Sequence, residues 1–148
     1  MDEIDRAILR ELQTDGRIAY ADLGPKVGLS ASAARQRLQR LLDAKVVQVV
    51  GVTDPMGMGG QSMALLGITV TAEGDPRAVA DRLAERAEVV YSVLTSGGFD
   101  LFAEVVCPSP RALLDFVNDV VKPLEGVAEV RSFPYFGIHT HRFLWNVG

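Results

Sequence analysis

Several features that mark other protein classes are scarce in this sequence. Cys107 is the only cysteine, so the chain can form neither an intrachain disulfide nor a zinc site built from several cysteines. No apolar run approaches the roughly 18 residues that span a bilayer, and the N-terminal MDEIDR is acidic where a secretory leader would be basic. These absences predict a soluble cytoplasmic protein in which Cys107 fills apolar space.

Positive charge is also in short supply, and it is unevenly distributed. The formal net charge is -4. Through Pro55, eight acidic residues balance eight basic ones, whereas beyond it eleven acidic residues oppose seven basic ones. The stretch LSASAARQRLQRLLDAK gathers cations opposed only by Asp43: Arg35, Arg37, Arg40 and Lys45. This concentration suggests an anionic partner and confines any nucleic-acid surface to the first third of the chain.

Three short helices are predicted in the first 45 residues of the chain. Asp2 caps the first, in which apolar residues recur at helical spacing until an Asp-Gly stop signal. The second covers Ala21–Val27, and Gly28 after it accepts the positive φ of a tight turn. Ser30 caps the third, whose buried stripe is Ala34, Leu38, Leu41 and Leu42.

The tight turn between the second and third helices, with an extended β-branched wing at Val46–Thr53, predicts a winged helix-turn-helix. An α-helix fits the major groove of DNA, where arginines neutralise phosphates and residues near the helix start test base edges. The predicted DNA-binding residues are Ser32, Arg35, Gln36, Arg37 and Arg40. The alternative is that these side chains only solvate an exposed helical surface.

The second half of the chain contains strand-helix-strand twice. Asp75-Pro76 and Ser109-Pro110 each supply a cap and a first-turn proline for a helix, and a two-glycine turn joins the repeats. The predicted strands are Leu66–Thr71, Val89–Thr95, Asp100–Val106 and Val127–Phe133. This order is the split βαβ of a ferredoxin-like sandwich, with one four-stranded sheet backed by two helices.

The predicted fold class is therefore α+β, with an N-terminal winged helix-turn-helix followed by a ferredoxin-like βαββαβ domain. The domains are residues 1–53, a hinge over 54–62, and residues 63–148. The hinge contains MGMGG but lacks the Lys-Ser/Thr of a phosphate-binding loop, which argues against nucleotide binding there.

The hairpin TSGGFD is a second candidate site. Its glycines leave backbone amides approachable to a carboxylate, and Asp100 could accept the ammonium of an amino acid. The alternative is a turn whose glycines serve only its geometry and whose Asp100 bonds to backbone.

The residues IDRAILRELQTDGRIAYADLGPKVGLSASAARQRLQRL, followed by VVQVV, TSGGFDLFAEV and LEGVAEVRS, resemble the Lrp/AsnC, or feast/famine, transcriptional regulators. The resemblance runs over nearly the whole chain. It implies a C-terminal domain that binds amino acids or related metabolites, forms homodimers and often assembles four of them into an octamer. By resemblance the hairpin faces an effector cleft between dimers, with these effector-binding residues: Ser96, Gly97, Gly98, Asp100 and, on the last strand, Ser132.

Two positions depart from the family pattern. Pro25 lies in the second helix. A proline beyond the first turn would kink that helix and reduce its stability by about 3 kcal/mol. Ala31 stands where family members often carry proline, so the first turn of the third helix offers small side chains and no sequence preference transfers.

No catalytic constellation, cofactor site or metal site is predicted. His139 and His141 share one face of an extended segment but lack a clear third ligand, and Cys107 has no adjacent activator. The predicted function is a sequence-specific DNA-binding transcriptional regulator that responds to an amino acid or related metabolite. Two alternatives stay open: a ligand-independent nucleoid-organising protein, and a metabolite-processing enzyme that uses the ferredoxin-like domain.

Overall fold

The computed structural model describes residues 1–54, 57–140 and 147, which form two compact units. The helical unit comprises Met1–Thr53 together with Thr140 and Val147 from the C-terminal end, and the sheet unit comprises Asp54–His139. The sequence predicts one domain over 63–148, whereas Val147 packs against the helical core, where Arg6 Nη1 donates to its carbonyl oxygen at 3.1 Å. This return of the chain leaves no local signal in the sequence.

Three helices build the helical unit: α1 (Glu3–Thr14), α2 (Tyr20–Lys26) and α3 (Ala31–Asp43). The predicted caps of α1 and α3 are confirmed. Asp2 and Asp5 exchange backbone-to-carboxylate hydrogen bonds in a capping box, and Ser30 Oγ accepts from the Ala33 amide at 3.2 Å. The helices enclose a small apolar core made of Ile8, Leu9, Leu12, Leu23, Ala34, Leu38 and Leu41.

Pro25 is the next-to-last residue of α2. Because proline has no amide hydrogen, one bond to the preceding turn is missing. The helix continues for only one residue beyond the proline and ends at Lys26, and the Val27 amide bonds to the Leu23 and Gly24 carbonyls at 3.2 and 3.1 Å.

The structure corrects the prediction of a wing strand. Val46–Thr53 forms no strand in the described chain. Four of its five valines, Val46, Val49, Val50 and Val52, are about half exposed or more, whereas Val47 packs against the helical core. A strand needs a neighbour with which to exchange backbone hydrogen bonds, and the described elements of the helical unit are all helices. The sequence of Val46–Thr53 thus favours a strand, but this chain provides no partner strand for it among its described residues.

Four strands form the sheet unit: β1 (Ser62–Val70), β2 (Val89–Leu94), β3 (Leu101–Cys107) and β4 (Val127–Pro134). All neighbouring strands are antiparallel, in the order β2-β3-β1-β4, which confirms the predicted ferredoxin-like topology. β1 begins four residues before the predicted Leu66 because its start pairs with the end of β3, Ser62 opposite Cys107.

Two helices cover one face of this sheet. They are α4 (Pro76–Ala84) and α5 (Pro110–Asp115), which continues as a π-helical segment, Phe116–Val121. The predicted caps are confirmed: Asp75 accepts from the Arg77 amide at 2.9 Å and Ser109 accepts from the Ala112 amide at 3.1 Å. Cys107 is buried in the core beneath the helices, as expected. None of the helices in the described ranges combines the length and apolar character needed to cross a membrane.

The opposite face of the sheet, called here the open face, carries residues that alternate with the core positions. On β3 the core residues Leu101, Ala103 and Val105 are buried, whereas Phe102 and Glu104 between them are half-buried. Cross-strand partners share a face of a sheet. The open face therefore also includes Tyr91, Val93, Leu65, Gly67 and Phe133.

Candidate nucleic-acid interface and effector hairpin

The turn between α2 and α3 depends on two glycines with different roles. Gly28 has a φ of 72°, a left-handed conformation that glycine adopts without strain. Gly24 lies where α2 approaches the start of α3, and a Cβ there would be 2.7 Å from the Leu29 carbonyl oxygen and 3.0 Å from the Ala31 nitrogen. Sequence reasoning identified Gly28 but missed Gly24, because a close approach between backbone segments has no local signature.

The outer face of α3 carries four of the five predicted DNA-binding residues. Ser32, Arg35, Gln36 and Arg40 are exposed, while the stripe that includes Ala34 is buried. Ser32 Oγ is 3.1 Å from the Ser30 hydroxyl at the helix cap. Hydroxyl, guanidinium and amide groups thus share a convex helical surface, as base and phosphate contacts require.

Arg37, the fifth predicted residue, has a different position. Its Nη1 donates to Asp2 Oδ2 at 2.6 Å and to Asp5 Oδ1 at 2.9 Å, and its side chain is only 26% exposed. Arg37 therefore fastens α3 to the start of α1. The prediction from sequence placed it with the phosphate contacts because the acidic partners lie more than thirty positions away along the chain.

This ion cluster changes the balance of charge around α3. The Asp5 amide, followed by Arg37, lowers the pKa of the Asp2 carboxyl, and hydrogen bonds to Asp2 and Asp5 raise the pKa of Arg37. Arg40 lies farther out, with Nη2 3.9 Å from Asp5 Oδ1 and a side chain that is 65% exposed. The cations that face outward on α3 are thus Arg35 and Arg40.

The effector hairpin joins β2 to β3. Ser96, Gly97 and Gly98 are exposed at its tip, and Gly97 has a φ of 129°. A Cβ built on Gly97 or Gly98 meets no atom within 4 Å, so the backbone at the tip is approachable. The tip therefore offers amides to a ligand, as the predicted carboxylate site requires.

Asp100 connects the base of this hairpin to β1. Its Oδ2 accepts from the Val70 amide at 2.8 Å, and its own amide donates to the Ile68 carbonyl at 3.0 Å. Thr95 Oγ1 donates to the Phe99 carbonyl at 2.8 Å and closes the turn. Asp100 Oδ2 is thus engaged in a hydrogen bond between the hairpin and β1, so a ligand ammonium would have to bind Oδ1.

Phe99 fixes the hairpin from the open face. A Cβ on Gly67 of β1 would lie 2.7 Å from Phe99 Cε1, so the ring rests directly on the glycine. The ring also makes edge-on contacts with Phe102 and Phe133, at centroid distances of 5.2 and 6.2 Å. The glycine of β1 creates the space that this aromatic cluster fills.

Ser132 lies apart from the other predicted effector residues. It is opposite Leu66 on β4, the strand at the other edge of the sheet from the β2 and β3 strands that carry the hairpin. There it lines a groove of about 530 Å³ between β4 and α5, called here the α5 groove. The fold brings Ser96, Gly97, Gly98 and Asp100 together on one hairpin, and it places Ser132 in a separate cavity.

The described ranges 1–54, 57–140 and 147 contain no group of three or more His, Cys, Asp or Glu placed to hold a metal ion. His139 is exposed, and His141 lies outside the described residues. Burial raises the pKa of the Cys107 thiol, with a smaller effect from Glu88. A neutral thiol in the core is a poor nucleophile, because the thiolate is the reactive form.

A helix-turn-helix unit with an exposed cationic third helix, together with an α/β unit that presents an open glycine hairpin, defines a class of protein: a DNA-binding regulator with a ligand-binding domain. Two family models identify the family. One, described as an AsnC-type helix-turn-helix domain, matches residues 1–42, and the other, the Lrp/AsnC ligand binding domain, matches residues 63–142. The chain belongs to the Lrp/AsnC family of transcriptional regulators.

Individual relatives agree with this assignment. The regulator LrpA of Mycobacterium tuberculosis is 33% identical over 135 residues, which are 89% of this chain and 86% of LrpA. The crystal structure of the leucine response regulatory protein LrpA from that organism is similar with a TM-score of 0.84 at 30% identity, covering 95% of this chain and 96% of the other. A transcriptional regulator of Neisseria meningitidis in complex with L-Met has a TM-score of 0.81 at 26% identity, covering 97% and 94%.

Proposed function

We propose that this protein is a sequence-specific transcriptional regulator whose binding to double-stranded DNA responds to an amino acid or a related metabolite. The observation that carries the proposal is the outer face of α3. Ser32, Arg35, Gln36 and Arg40 are all exposed there, directly after a turn that two glycines fix. An exposed helix of this kind enters a major groove without rearrangement of the unit that carries it.

The position of each side chain along α3 suggests its role. Ser32, Arg35 and Gln36 lie in the first two turns, where a recognition helix meets base edges. Arg40 lies farther along and is placed to neutralise a phosphate. Arg37 supports these contacts indirectly, because its bonds to Asp2 and Asp5 hold α3 against α1.

Fluorescence anisotropy with the DNA upstream of the protein's own gene tests this assignment. Arg35→Ala or Gln36→Ala should reduce discrimination between that DNA and an unrelated duplex. Arg40→Ala should weaken binding to both duplexes and reduce the slope of log K against log salt by about one.

Arg17→Ala is the matched control, since Arg17 is an exposed cation of the same unit outside α3. If charge reversal at both Arg35 and Arg40 left the affinity for DNA unchanged, the recognition role of α3 would be refuted.

The proposed assembly is a homodimer that associates further, to an octamer by family resemblance. Two features support self-association. The exposed valines of Val46–Thr53 have strand-forming sequence without a partner strand in this chain, and the open face exposes aromatic and aliphatic side chains. Pairing of the Val46–Thr53 segments from two subunits would fix the distance between two α3 helices, as binding to successive turns of DNA requires.

The proposed effector site is the hairpin tip. Backbone amides of Gly97 and Gly98 and the Ser96 hydroxyl would hold a carboxylate, and Asp100 Oδ1 would accept the ammonium. The L-Met complex of the Neisseria meningitidis protein and the leucine-responsive names of other relatives support an amino acid as effector. The effector would change DNA affinity only by as much as its own affinity differs between the competing assemblies.

A thermal-shift screen of the common amino acids, repeated in the DNA-binding assay, tests the effector. Gly98→Val should abolish the response, because a side chain fits there without a clash yet covers the amides. Asp100→Asn should also abolish it while an amide oxygen still accepts from Val70.

One observation favours the alternative of a nucleoid-organising protein that needs no ligand. Asp100 already bonds to the Val70 amide, so the hairpin has a structural reason for its acidic residue. DNA binding that no amino acid in the panel alters would support that alternative and overturn the effector site.

A further inference from the structure

The α5 groove is a cavity in the described part of the chain that the proposed function does not use. It runs along α5 and its π-helical continuation, with β4 and the start of β1 as its other wall. Its volume of about 530 Å³ lies within the range of small-molecule sites. Apolar side chains form most of the surface, among them Leu113, Leu114, Val117 and Val130, and the lining also includes polar side chains such as Asn118, Lys122 and Ser132.

The π-helical segment decides which polar groups reach the groove. An α-helix turns about 100° per residue, so in α-helical spacing Lys122 would lie about 120° around the axis from Pro110. Instead the Lys122 amide bonds to the Val117 carbonyl, five residues back, at 3.0 Å. The extra residue in this turn moves Lys122 to about 20° from Pro110, onto the face that lines the groove.

Lys122 is held at the groove by its neighbour. Its Nζ donates to Asn118 Oδ1 at 2.7 Å, and both residues line the cavity. π-Helical turns are rare and occur often at functional sites, since they sacrifice regular helical geometry. The irregular turn thus places the Lys122 ammonium at a cavity whose surface is mostly apolar.

The charge of the lining is the opposite of the charge of the chain. The protein has a formal net charge of -4, yet the described residues that line the groove include one lysine and no aspartate or glutamate. The remaining polar side chains, such as Ser132 and Asn118, are neutral. A cation at the rim of an apolar groove complements an anion that has an apolar body.

We propose that the α5 groove binds a small monocarboxylate with an apolar chain or ring, which lies against Leu113, Val117 and Val130 while Lys122 pairs with its carboxylate. An α-amino acid is a poor occupant, because no acidic side chain in the described lining would accept its ammonium. The groove is a second small-molecule site, distinct from the hairpin.

Three eight-carbon probes separate the contributions of charge and apolar burial. Octanoate, octanol and octylamine are titrated into the full chain by isothermal calorimetry, with the thermal unfolding midpoint as a second readout. We expect octanoate to bind, octanol to bind about tenfold more weakly, as loss of one charged hydrogen bond implies, and octylamine not to bind detectably. Equal affinity for octanoate and octylamine, or no binding of octanoate, would overturn the proposal.

Two substitutions place the probe in the groove. Lys122→Gln should weaken octanoate about tenfold while leaving octanol unchanged. Leu114 is exposed, so Leu114→Glu and its uncharged match Leu114→Gln should both fold, and only the glutamate should abolish octanoate binding.

The hairpin variant Gly98→Val separates this site from the proposed effector site. Octanoate binding to Gly98→Val should equal that to the unmodified protein. Loss of octanoate binding in Gly98→Val, with retention in Leu114→Glu, would place the carboxylate at the hairpin and refute a site in the groove.

Discussion

The guanidinium of Arg37 bridges two helices. It bonds to Asp2 and Asp5 at the start of α1, and the Asp5 side chain is only 11% exposed. Substitution by methionine keeps the apolar stem but leaves the Asp5 carboxylate without this partner. We expect Arg37→Met to lower the thermal unfolding midpoint by several degrees, measured by circular dichroism.

Arg35→Met is the control for that change. Arg35 is exposed on the same helix, and its substitution should leave the unfolding midpoint near the original value. If Arg37→Met unfolded at the same temperature as Arg35→Met, the bridge would contribute nothing to stability and Arg37 would return to the candidate phosphate contacts.

The Asp2 carboxylate makes the stability of the helical unit depend on pH. Its pKa is lowered in the folded protein, so its stabilising effect is fully present above the ordinary aspartate pKa of about 4 and is lost as the pH falls through the lower folded pKa. Asp2→Asn retains a helix cap but cannot titrate. We expect its unfolding midpoint to fall less steeply below pH 4 than that of the unmodified protein. Equal slopes for the two proteins would show that Asp2 does not contribute to the acid dependence of stability.

Gly24 and Gly28 are required for different physical reasons, which substitution can separate. Gly24→Ala forces a Cβ against the backbone of the next helix, and we expect a loss of about 2 kcal/mol in the free energy of unfolding. Gly28→Ala meets no neighbour but strains a left-handed residue, at about 1 kcal/mol.

Asparagine tests this distinction, because it tolerates the left-handed conformation. Gly28→Asn should recover most of the stability lost in Gly28→Ala, while Gly24→Asn should be no better than Gly24→Ala. Urea unfolding measures all four variants. Equal rescue at both positions would contradict the steric role of Gly24.

At the scale of the element, the sequence predicts what local chemistry determines. The predicted caps Asp2, Ser30, Asp75 and Ser109 are confirmed. A capping side chain bonds an amide only two or three residues away, so the local sequence is enough to predict it. The sequence predicts the start of β1 four residues late because Ser62 pairs with Cys107, which lies more than forty positions away along the chain. The strand predicted for the wing is absent within the chain because a β-branched run indicates strand character, not the presence of a partner.

The hairpin depends on the match between Gly67 and Phe99. We expect Gly67→Ala to displace the Phe99 ring and to lower the free energy of unfolding by about 1–2 kcal/mol. Phe99→Leu removes ring atoms at the contact, so the double variant should be more stable than the sum of the two single losses predicts. Urea unfolding of the four proteins in this cycle gives the coupling, and strictly additive losses would show that the two residues do not interact.

At the scale of the whole molecule, the positions of some candidate site residues can be predicted from the sequence and those of others cannot. The outer residues of α3 follow from helical periodicity, since a buried stripe fixes which positions are exposed. Arg37 and Ser132 do not follow from it, because their surroundings come from distant segments: the start of α1 for one and the α5 groove for the other. Periodicity gives the face of a residue, whereas tertiary packing gives its partner.

A single substitution on the open face of the sheet can test the proposed dimer. Val93 lies on the open face opposite Phe102, and both Val93 and Tyr91 are exposed in a single chain. A glutamate at Val93 would bury an unpaired charge if two open faces meet, whereas it would be harmless on a surface that faces water. We expect Val93→Glu to shift the molar mass, measured by light scattering during size exclusion, from that of an oligomer toward the 16.0 kDa monomer. Leu114→Glu, which adds the same charge on the helical side of the sheet, should leave the oligomer intact. An oligomer that survives Val93→Glu, or a protein that is monomeric without any substitution, would mean that the open face does not join subunits.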